Sequence, residues 1–371
     1  MYIHIPFCQE KCGYCDFYSI TQLDLMDEFV EALLSEIELR APQFSGMVFT
    51  TLYMGGGTPS LLWEEQLQHI WEALHRNFSI ESAGEFTIEA NPGTLSPSKL
   101  TFFKSLGFNR LSMGVQSFNP DELRFLGRIH SVEEVYENFH QARAAGFKNI
   151  NIDLMTAFPG ITPQSFNNSL TEVVRLRPEH VSCYTLIFEP GTQFYKRMKA
   201  GELHPLTDEE EASYYLLAKE ILGEVGYTQY EISNFALGNE YFCQHNLVYW
   251  SHQPYLGLGP SAHSFFENTR TGNKRSVMAY INMLKNDQLP IEFVEDLTPE
   301  QLMFEYIFLR LRLRQGVSIK EFQRRFGISI FDKYGETLQR LEGFKLIRQD
   351  GNFIRLTEKG WMVADTVATY F

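Results

Sequence analysis

The chain has little cysteine, five in 371 residues, and that scarcity excludes a disulfide-stapled secreted fold. It holds no run of eighteen apolar residues, so it predicts no membrane-spanning helix. Its first residues, Met-Tyr-Ile-His-Ile-Pro, lack the basic stretch, apolar core and cleavage site of a signal peptide. Positive charge is also short. The 32 Lys and Arg face 46 Asp and Glu, and the formal charge of −14 argues against electrostatic capture of nucleic acid or acidic membranes. These absences point to a cytoplasmic protein, in a compartment where thiols stay reduced. Its length suits one large domain, or a large one with a small one.

What cysteine there is sits unevenly. Cys8, Cys12 and Cys15 fall in Phe-Cys-Gln-Glu-Lys-Cys-Gly-Tyr-Cys-Asp, and only Cys183 and Cys243 lie elsewhere. A C-x3-C-x2-C triplet offers three thiolates from one loop. That suits an iron–sulfur cluster with one iron left for a substrate or cofactor. Structural zinc takes four closed ligands, usually from two C-x2-C pairs. One pair is present, and His4 or Cys243 would have to complete it, so the cluster is the better reading.

Strand-like and helix-like segments alternate over residues 1–190. The strand candidates are Tyr2–Phe7, Thr51–Gly55, Glu85–Asn91, Arg110–Val115, Asn149–Thr156 and His180–Phe188, read as apolar runs covered on both faces. Met26, Phe29, Val30, Leu33 and Ile37 recur at helical spacing; a second helix runs from about Trp63 to Phe78, and others follow Ser96, Ser131 and Thr162. Six βα units call for a parallel sheet with right-handed crossovers. The chemically capable residues fall just after successive strands, which favours a barrel, complete or incomplete, over an open sheet.

Residues 191–296 form an extension rich in aromatics and glycine. It has a helix near Glu209–Val225 and then His245-Asn-Leu-Val-Tyr-Trp250. From Leu297 to Phe371 three helices, a hairpin at Asp350-Gly351 and a last helix resemble a winged helix. That tail carries 12 Lys and Arg against 9 Asp and Glu, weak support for DNA binding. Packing or contact with a partner is the reading taken, with no nucleic acid expected.

The cysteine triplet after a first strand and Gly55-Gly-Gly-Thr-Pro59 after the second resemble the radical S-adenosylmethionine (SAM) enzymes. Tyr2-Ile-His-Ile-Pro-Phe-Cys8, Glu89-Ala-Asn-Pro-Gly93, Gly114-Val-Gln-Ser-Phe118 and Asn151-Ile-Asp-Leu154 look like the oxygen-independent coproporphyrinogen III oxidase group. The resemblance implies an α/β fold with an incomplete (β/α)6 barrel and a small, mainly helical, winged-helix-like C-terminal domain. It also implies that Cys8, Cys12 and Cys15 hold a [4Fe–4S] cluster whose fourth iron binds SAM. Tyr2, Tyr14, Gly56, Gly57, Thr58, Glu89, Gln116, Arg128 and Asp153 match positions lining the SAM site. Arg128 is suited to the SAM carboxylate, and Glu89 and Asp153 to its ribose or amino group.

Two features separate subgroups. The oxidases carry a fourth cysteine two residues after the third, and here that place is Phe17. The run His245-Asn-Leu-Val-Tyr-Trp250 looks like the H-N-x-x-Y-W motif of the haem-chaperone branch, the HemW-type proteins. That branch implies haem as cargo and haem-accepting apoproteins as partners. Contacts with haem are then expected from His245, Asn246, Tyr249 and Trp250, with Cys243 as an alternative axial donor, while His252 and His263 read as structural. Coproporphyrinogen III oxidase, removing two propionate carboxylates as CO2, is the alternative function. Peripheral membrane contact and a homodimer are both left open.

Overall fold

The computed structural model describes all 371 residues. Six strands, β1 (Tyr2–Ile5), β2 (Val48–Gly56), β3 (Ser79–Ala90), β4 (Arg110–Gln116), β5 (Ile150–Thr156) and β6 (His180–Thr185), lie side by side and parallel. Between them run α1 (Met26–Arg40), α2 (Glu64–Asn77), α3 (Pro97–Leu106), α4 (Pro120–Phe125), α5 (Val132–Ala144) and α6 (Pro163–Leu176). The Ser96, Ser131 and Thr162 hydroxyls accept from the backbone N–H of Lys99, Glu134 and Ser165, so these residues cap the helices they precede.

The extension enlarges this sheet at both edges. After α7 (Gln193–Lys199) and α8 (Asp208–Glu224), strands β7 (Thr228–Gln229) and β8 (Asn234–Ala236) add antiparallel beyond β6. Past α9 (Gln244–Trp250), strand β9 (Gly257–Leu258) pairs parallel to β1. The order β7-β8-β6-β5-β4-β3-β2-β1-β9 does not close, so the architecture is the incomplete barrel expected, with three further short strands that the sequence did not suggest. Strands β10 (His263–Phe266), β11 (Thr269–Asn273) and β12 (Ile291–Asp296) form a separate antiparallel sheet, with α10 (Val277–Leu284) inserted before β12.

The tail holds α11 (Pro299–Leu311), α12 (Ile319–Phe326) and α13 (Ile330–Gly343) with strands β13 (Val317–Ser318), β14 (Ile347–Asp350) and β15 (Phe353–Leu356). The last two make the hairpin at Gly351. These elements bury their own apolar cluster around Phe322, Leu341 and Ile354, apart from the main cluster, which runs from Met1 to Leu284. No helix is long and apolar enough to cross a membrane.

One expectation about the strands needs correction. They are not apolar on both faces but alternate with period two. Ile3, Ile5, Leu52, Met54, Ile88, Leu111, Met113, Ile152 and Leu154 join the apolar core. The intervening residues make a polar lining of the barrel. Asn151 is its hub: its amide donates to Ser112 Oγ at 2.8 Å and Asp153 Oδ1 at 2.7 Å, while its oxygen lies 2.6 Å from His180 Nδ1 and 3.1 Å from Ser182 Oγ. Buried polar groups are tolerated when partnered, and this network partners them.

Asn151→Leu therefore removes the shared partner of four side chains. Each stranded buried group costs about 1–3 kcal/mol. Urea denaturation is expected to show a loss of roughly 2 kcal/mol or more, and a neutral result would contradict a polar barrel interior.

Candidate functional site

The cysteine loop begins where β1 ends and is pinned at several points. Cys8 N–H donates to Ile20 O at 3.0 Å, Cys15 N–H to Cys12 O at 3.2 Å, and Phe194 N–H at the start of α7 to Gly13 O at 2.9 Å. A Cβ on Gly13 would lie 2.7 Å from the Phe194 ring, so the loop rests on α7 only as glycine. His4 ties the far end back to β1. Its Nε2 is 2.8 Å from Tyr18 O and its Nδ1 is 3.0 Å from the Tyr2 hydroxyl. The carbonyl can only accept, so Nε2 carries the proton and Nδ1 accepts from Tyr2. Burial lowers the His4 pKa to about 4 and keeps the ring neutral. His4 is thus occupied in holding the loop, not free to complete a zinc site.

The three cysteines are free thiols, neither fully buried nor fully exposed. Thr58 Oγ1 donates to Cys8 Sγ and Arg128 Nη1 to Cys12 Sγ, each at 3.6 Å. Asn91 joins these donors, giving its amide to Thr58 Oγ1 at 2.9 Å and accepting from Arg128 Nη2. Arg128 Nη2 also reaches Gly114 O. Donors directed at sulfur suit thiolates in a cluster. Burial, and then the Cys12 thiol beside it, push Cys15 up to about 11.

Facing this loop is the end of β2. Gly56 has φ of +107°, and a Cβ there would lie 2.5 Å from the His4 ring. A Cβ on Gly57 would lie 2.6 Å from Phe7 O. Glycine lets the backbone of β2 press against the start of the cysteine loop. Gly56 N–H donates to Glu89 Oε2 at 3.1 Å, and the Tyr53 hydroxyl to Glu89 Oε1 at 2.7 Å. Burial raises the Glu89 pKa to about 7 despite these two donors. Asp153, held by Asn151, is raised by burial as well. Gln116 ends β4 with φ of +69°, and Tyr14 packs edge-on to Phe194 at 6.2 Å.

The structure thus gathers Cys8, Cys12, Cys15, Tyr14, Gly56, Gly57, Thr58, Glu89, Gln116 and Arg128 around one barrel mouth, with Tyr2 and Asp153 deeper inside. The donor set and the glycine cradle fit a three-thiolate cluster with a small polar cofactor beside it. Asn91 and Tyr53 were not singled out from sequence. Asn91 stood inside a quoted motif, whereas the role of Tyr53 follows from the inward alternation that the sequence reading missed.

The His-Asn-Leu-Val-Tyr-Trp run forms α9, and α9 lies at the other end of the barrel. Glu85, near the start of the β3 segment that pairs with β4, caps it: its carboxylate accepts from the backbone N–H of Gln244 and His245, each at 3.0 Å. His245 is 2 % exposed. Its Nδ1 lies 2.8 Å from Thr51 Oγ1 and its Nε2 3.0 Å from the Tyr249 hydroxyl, while Tyr53 stacks on its ring at 5.0 Å. Both ring nitrogens are engaged, so the expected axial contact finds no free donor there. Cys243 is fully buried, and its Sγ lies 3.5 Å from Glu85 Oε1. Asn246 is half-buried. Trp250 faces the C-terminal domain, with the Arg312 guanidinium 5.0 Å above its ring.

Tyr249 alone of the four motif residues lines a cavity of about 350 Å3, shared with His252, Tyr255, Phe265, Phe304 and Phe308. His252 was read from sequence as structural. Its place in this cavity could have been suspected only from its closeness to the motif.

Comparison with known proteins matches residues 2–173 to the radical SAM superfamily and residues 297–363 to the HemN C-terminal domain. The heme chaperone HemW of Bacillus subtilis is 39 % identical over 99 % of this chain and 97 % of its own. That of Lactococcus lactis is 34 % identical over 100 % of this chain and 96 % of its own. Among solved structures, coproporphyrinogen III oxidase (HemN) from Escherichia coli, a radical SAM enzyme, superposes with a TM-score of 0.88 at 26 % identity, covering 100 % of this chain and 88 % of that one.

Two outcomes test the mouth. His4→Phe frees Tyr18 and loosens the cysteine loop, so the iron bound per chain after anaerobic reconstitution should fall at least twofold; unchanged iron would contradict the pinning. The raised Glu89 pKa means that the folded state holds its proton more tightly than the unfolded chain. Apoprotein stability is then lost as pH rises from about 4.5 to about 7. Glu89→Gln should flatten part of that slope, by roughly 1–2 kcal/mol because Glu89 keeps partial solvent contact. Parallel slopes in denaturant titrations from pH 5 to 8 would contradict it.

Proposed function

Because the chain belongs to the radical SAM superfamily, in its HemW-type haem-chaperone branch, we propose that it binds haem and hands it to apoproteins, carrying a [4Fe–4S] cluster and SAM at the barrel mouth. The observation that carries this reading is its full-length similarity to proteins named as haem chaperones. Cys8, Cys12 and Cys15 would hold the cluster. Tyr2, Tyr14, Gly56, Gly57, Thr58, Glu89, Gln116, Arg128 and Asp153 would line the SAM site. When bound, the cluster and SAM supply one-electron chemistry.

The residues around that site act by position. Thr58 and Arg128 direct hydrogens at sulfur, His4 fixes the loop, and Glu89 and Asp153 offer acceptors to amino or hydroxyl groups. At the other end, α9 would supply the haem contacts. Tyr249 meets the cavity directly, and His245 holds its hydroxyl from behind. Asn246 and Trp250 flank them. The partners would be haem-accepting apoproteins in the cytoplasm.

A second reading, oxidative decarboxylation of coproporphyrinogen III, is favoured by the whole-chain structural likeness to that oxidase. Phe17 counts against it: it stands where the oxidases carry a fourth cysteine and is 68 % exposed on the cysteine loop.

Anaerobically reconstituted protein is expected to take up haem stoichiometrically, followed by absorption, and to leave coproporphyrinogen unconverted with SAM and reductant present. Haem uptake should survive Cys12→Ser while cluster content falls. Turnover without stoichiometric haem uptake would replace this reading with the oxidase one.

A further inference from the structure

We propose that Asn91 is a positioning residue that raises the reduction potential of the cluster, by fixing the direction of the hydrogen bonds that Thr58 and Arg128 give to two of the cysteine sulfurs. This rests on the cluster reading above and names what tunes that cluster.

The direction follows from donor chemistry. A guanidinium can only donate, so the oxygen of the Asn91 amide faces Arg128 Nη2 and its nitrogen faces Thr58 Oγ1, at 2.9 Å. The Thr58 hydroxyl therefore accepts from the amide and keeps its own hydrogen for Cys8 Sγ, 3.6 Å away. Arg128, held through Nη2 by Asn91 Oδ1 and Gly114 O, turns Nη1 toward Cys12 Sγ, also at 3.6 Å. One amide thus commits two donors on different segments to two sulfurs.

Asn91 is itself held in place. Its carbonyl accepts from Thr94 N–H at 3.1 Å and from Thr94 Oγ1 at 2.6 Å, which pins the turn after β3. Gly93 N–H, in that turn, donates to Asn138 Oδ1 on α5 at 2.8 Å. Glycine at position 114 leaves room for the pair: a Cβ there would lie 2.8 Å from Asn91 Oδ1 and 2.9 Å from Arg128 Nη2. Thr58 is 3 % exposed, so water competes little for its hydroxyl. A reduced cluster carries one more negative charge than an oxidised one. Hydrogen bonds to its thiolates favour the reduced form and so raise the potential.

The test is the midpoint potential of the 2+/1+ couple in the reconstituted full-length chain, followed by electron paramagnetic resonance. Dithionite supplies the single electron, and no bond in the protein forms or breaks. SAM is left out, because Thr58 and Arg128 also line its expected site. Wild type, Asn91→Leu, Thr58→Val and the double variant are compared, with iron per chain and thermal melts read alongside. In Asn91→Leu the reduced-to-oxidised ratio at a fixed potential should fall about tenfold, which is about 59 mV for one electron. Thr58→Val should lower the potential less, and the double variant should fall short of the sum of the two, because Asn91 acts partly through Thr58. Should Asn91→Leu fail to hold a cluster, Asn91→Asp takes its place. It keeps the shape and the acceptor for Arg128 but gives no hydrogen to Thr58, and its potential should fall less in the Thr58→Val background than alone. An unchanged or higher potential at Asn91, or shifts that simply add, would overturn the role. A wild type with no [4Fe–4S] signal after reconstitution and reduction would defeat the cluster reading itself, which is distinguishable from both.

Discussion

Parallel pairing of β1 with β2, which sets Ile5 opposite Gly56, is the constraint on which the mouth depends. It brings the start of the cysteine loop against the glycine turn, and any side chain on Gly56 or Gly57 would push them apart. His4 converts that pairing into a fixed loop by reaching Tyr18 with one nitrogen and Tyr2 with the other. Thr58, two residues beyond Gly56, then meets Cys8, and Asn91 relays the contact to Arg128 and Cys12. A short register thus orients four segments distant in sequence.

The polar lining of the barrel joins this mouth to α9. Tyr53 gives its hydroxyl to Glu89 above and stacks its ring on His245 below. The run from Thr51 to Gly56 places the two ends on the order of 15 Å apart, at about 3.3 Å per residue. The barrel mouth and the cavity beside α9 are therefore separate places. A side chain such as Tyr53, in contact with the surroundings of both, is the physical link between them.

Much of this was legible in the sequence because it is local. The cysteine spacing, the Gly-Gly-Gly turn, the capping hydroxyls at Ser96, Ser131 and Thr162 and the helical periodicity of α1 each depend on a few neighbouring residues. The missed features depend on which strands become neighbours. The alternation in Arg110-Leu-Ser-Met and Asn151-Ile-Asp-Leu was visible, but apolar content masked it. The added strands β7, β8 and β9 have two or three residues each, too short to carry a pattern. His245 looked like a ligand because its motif is chemically suggestive, and only the fold shows Thr51 and Tyr249 occupying its nitrogens. His252 lacked any local signal, since its cavity is completed by α11 some fifty residues later.

The most direct test of two separate sites is an anomalous difference map at the iron edge from crystals of the reconstituted, haem-loaded protein. Iron density is expected beside Cys8, Cys12 and Cys15, with a second, single iron away from the barrel mouth on the α9 side. Iron confined to the barrel mouth, or a haem iron seated there, would contradict it.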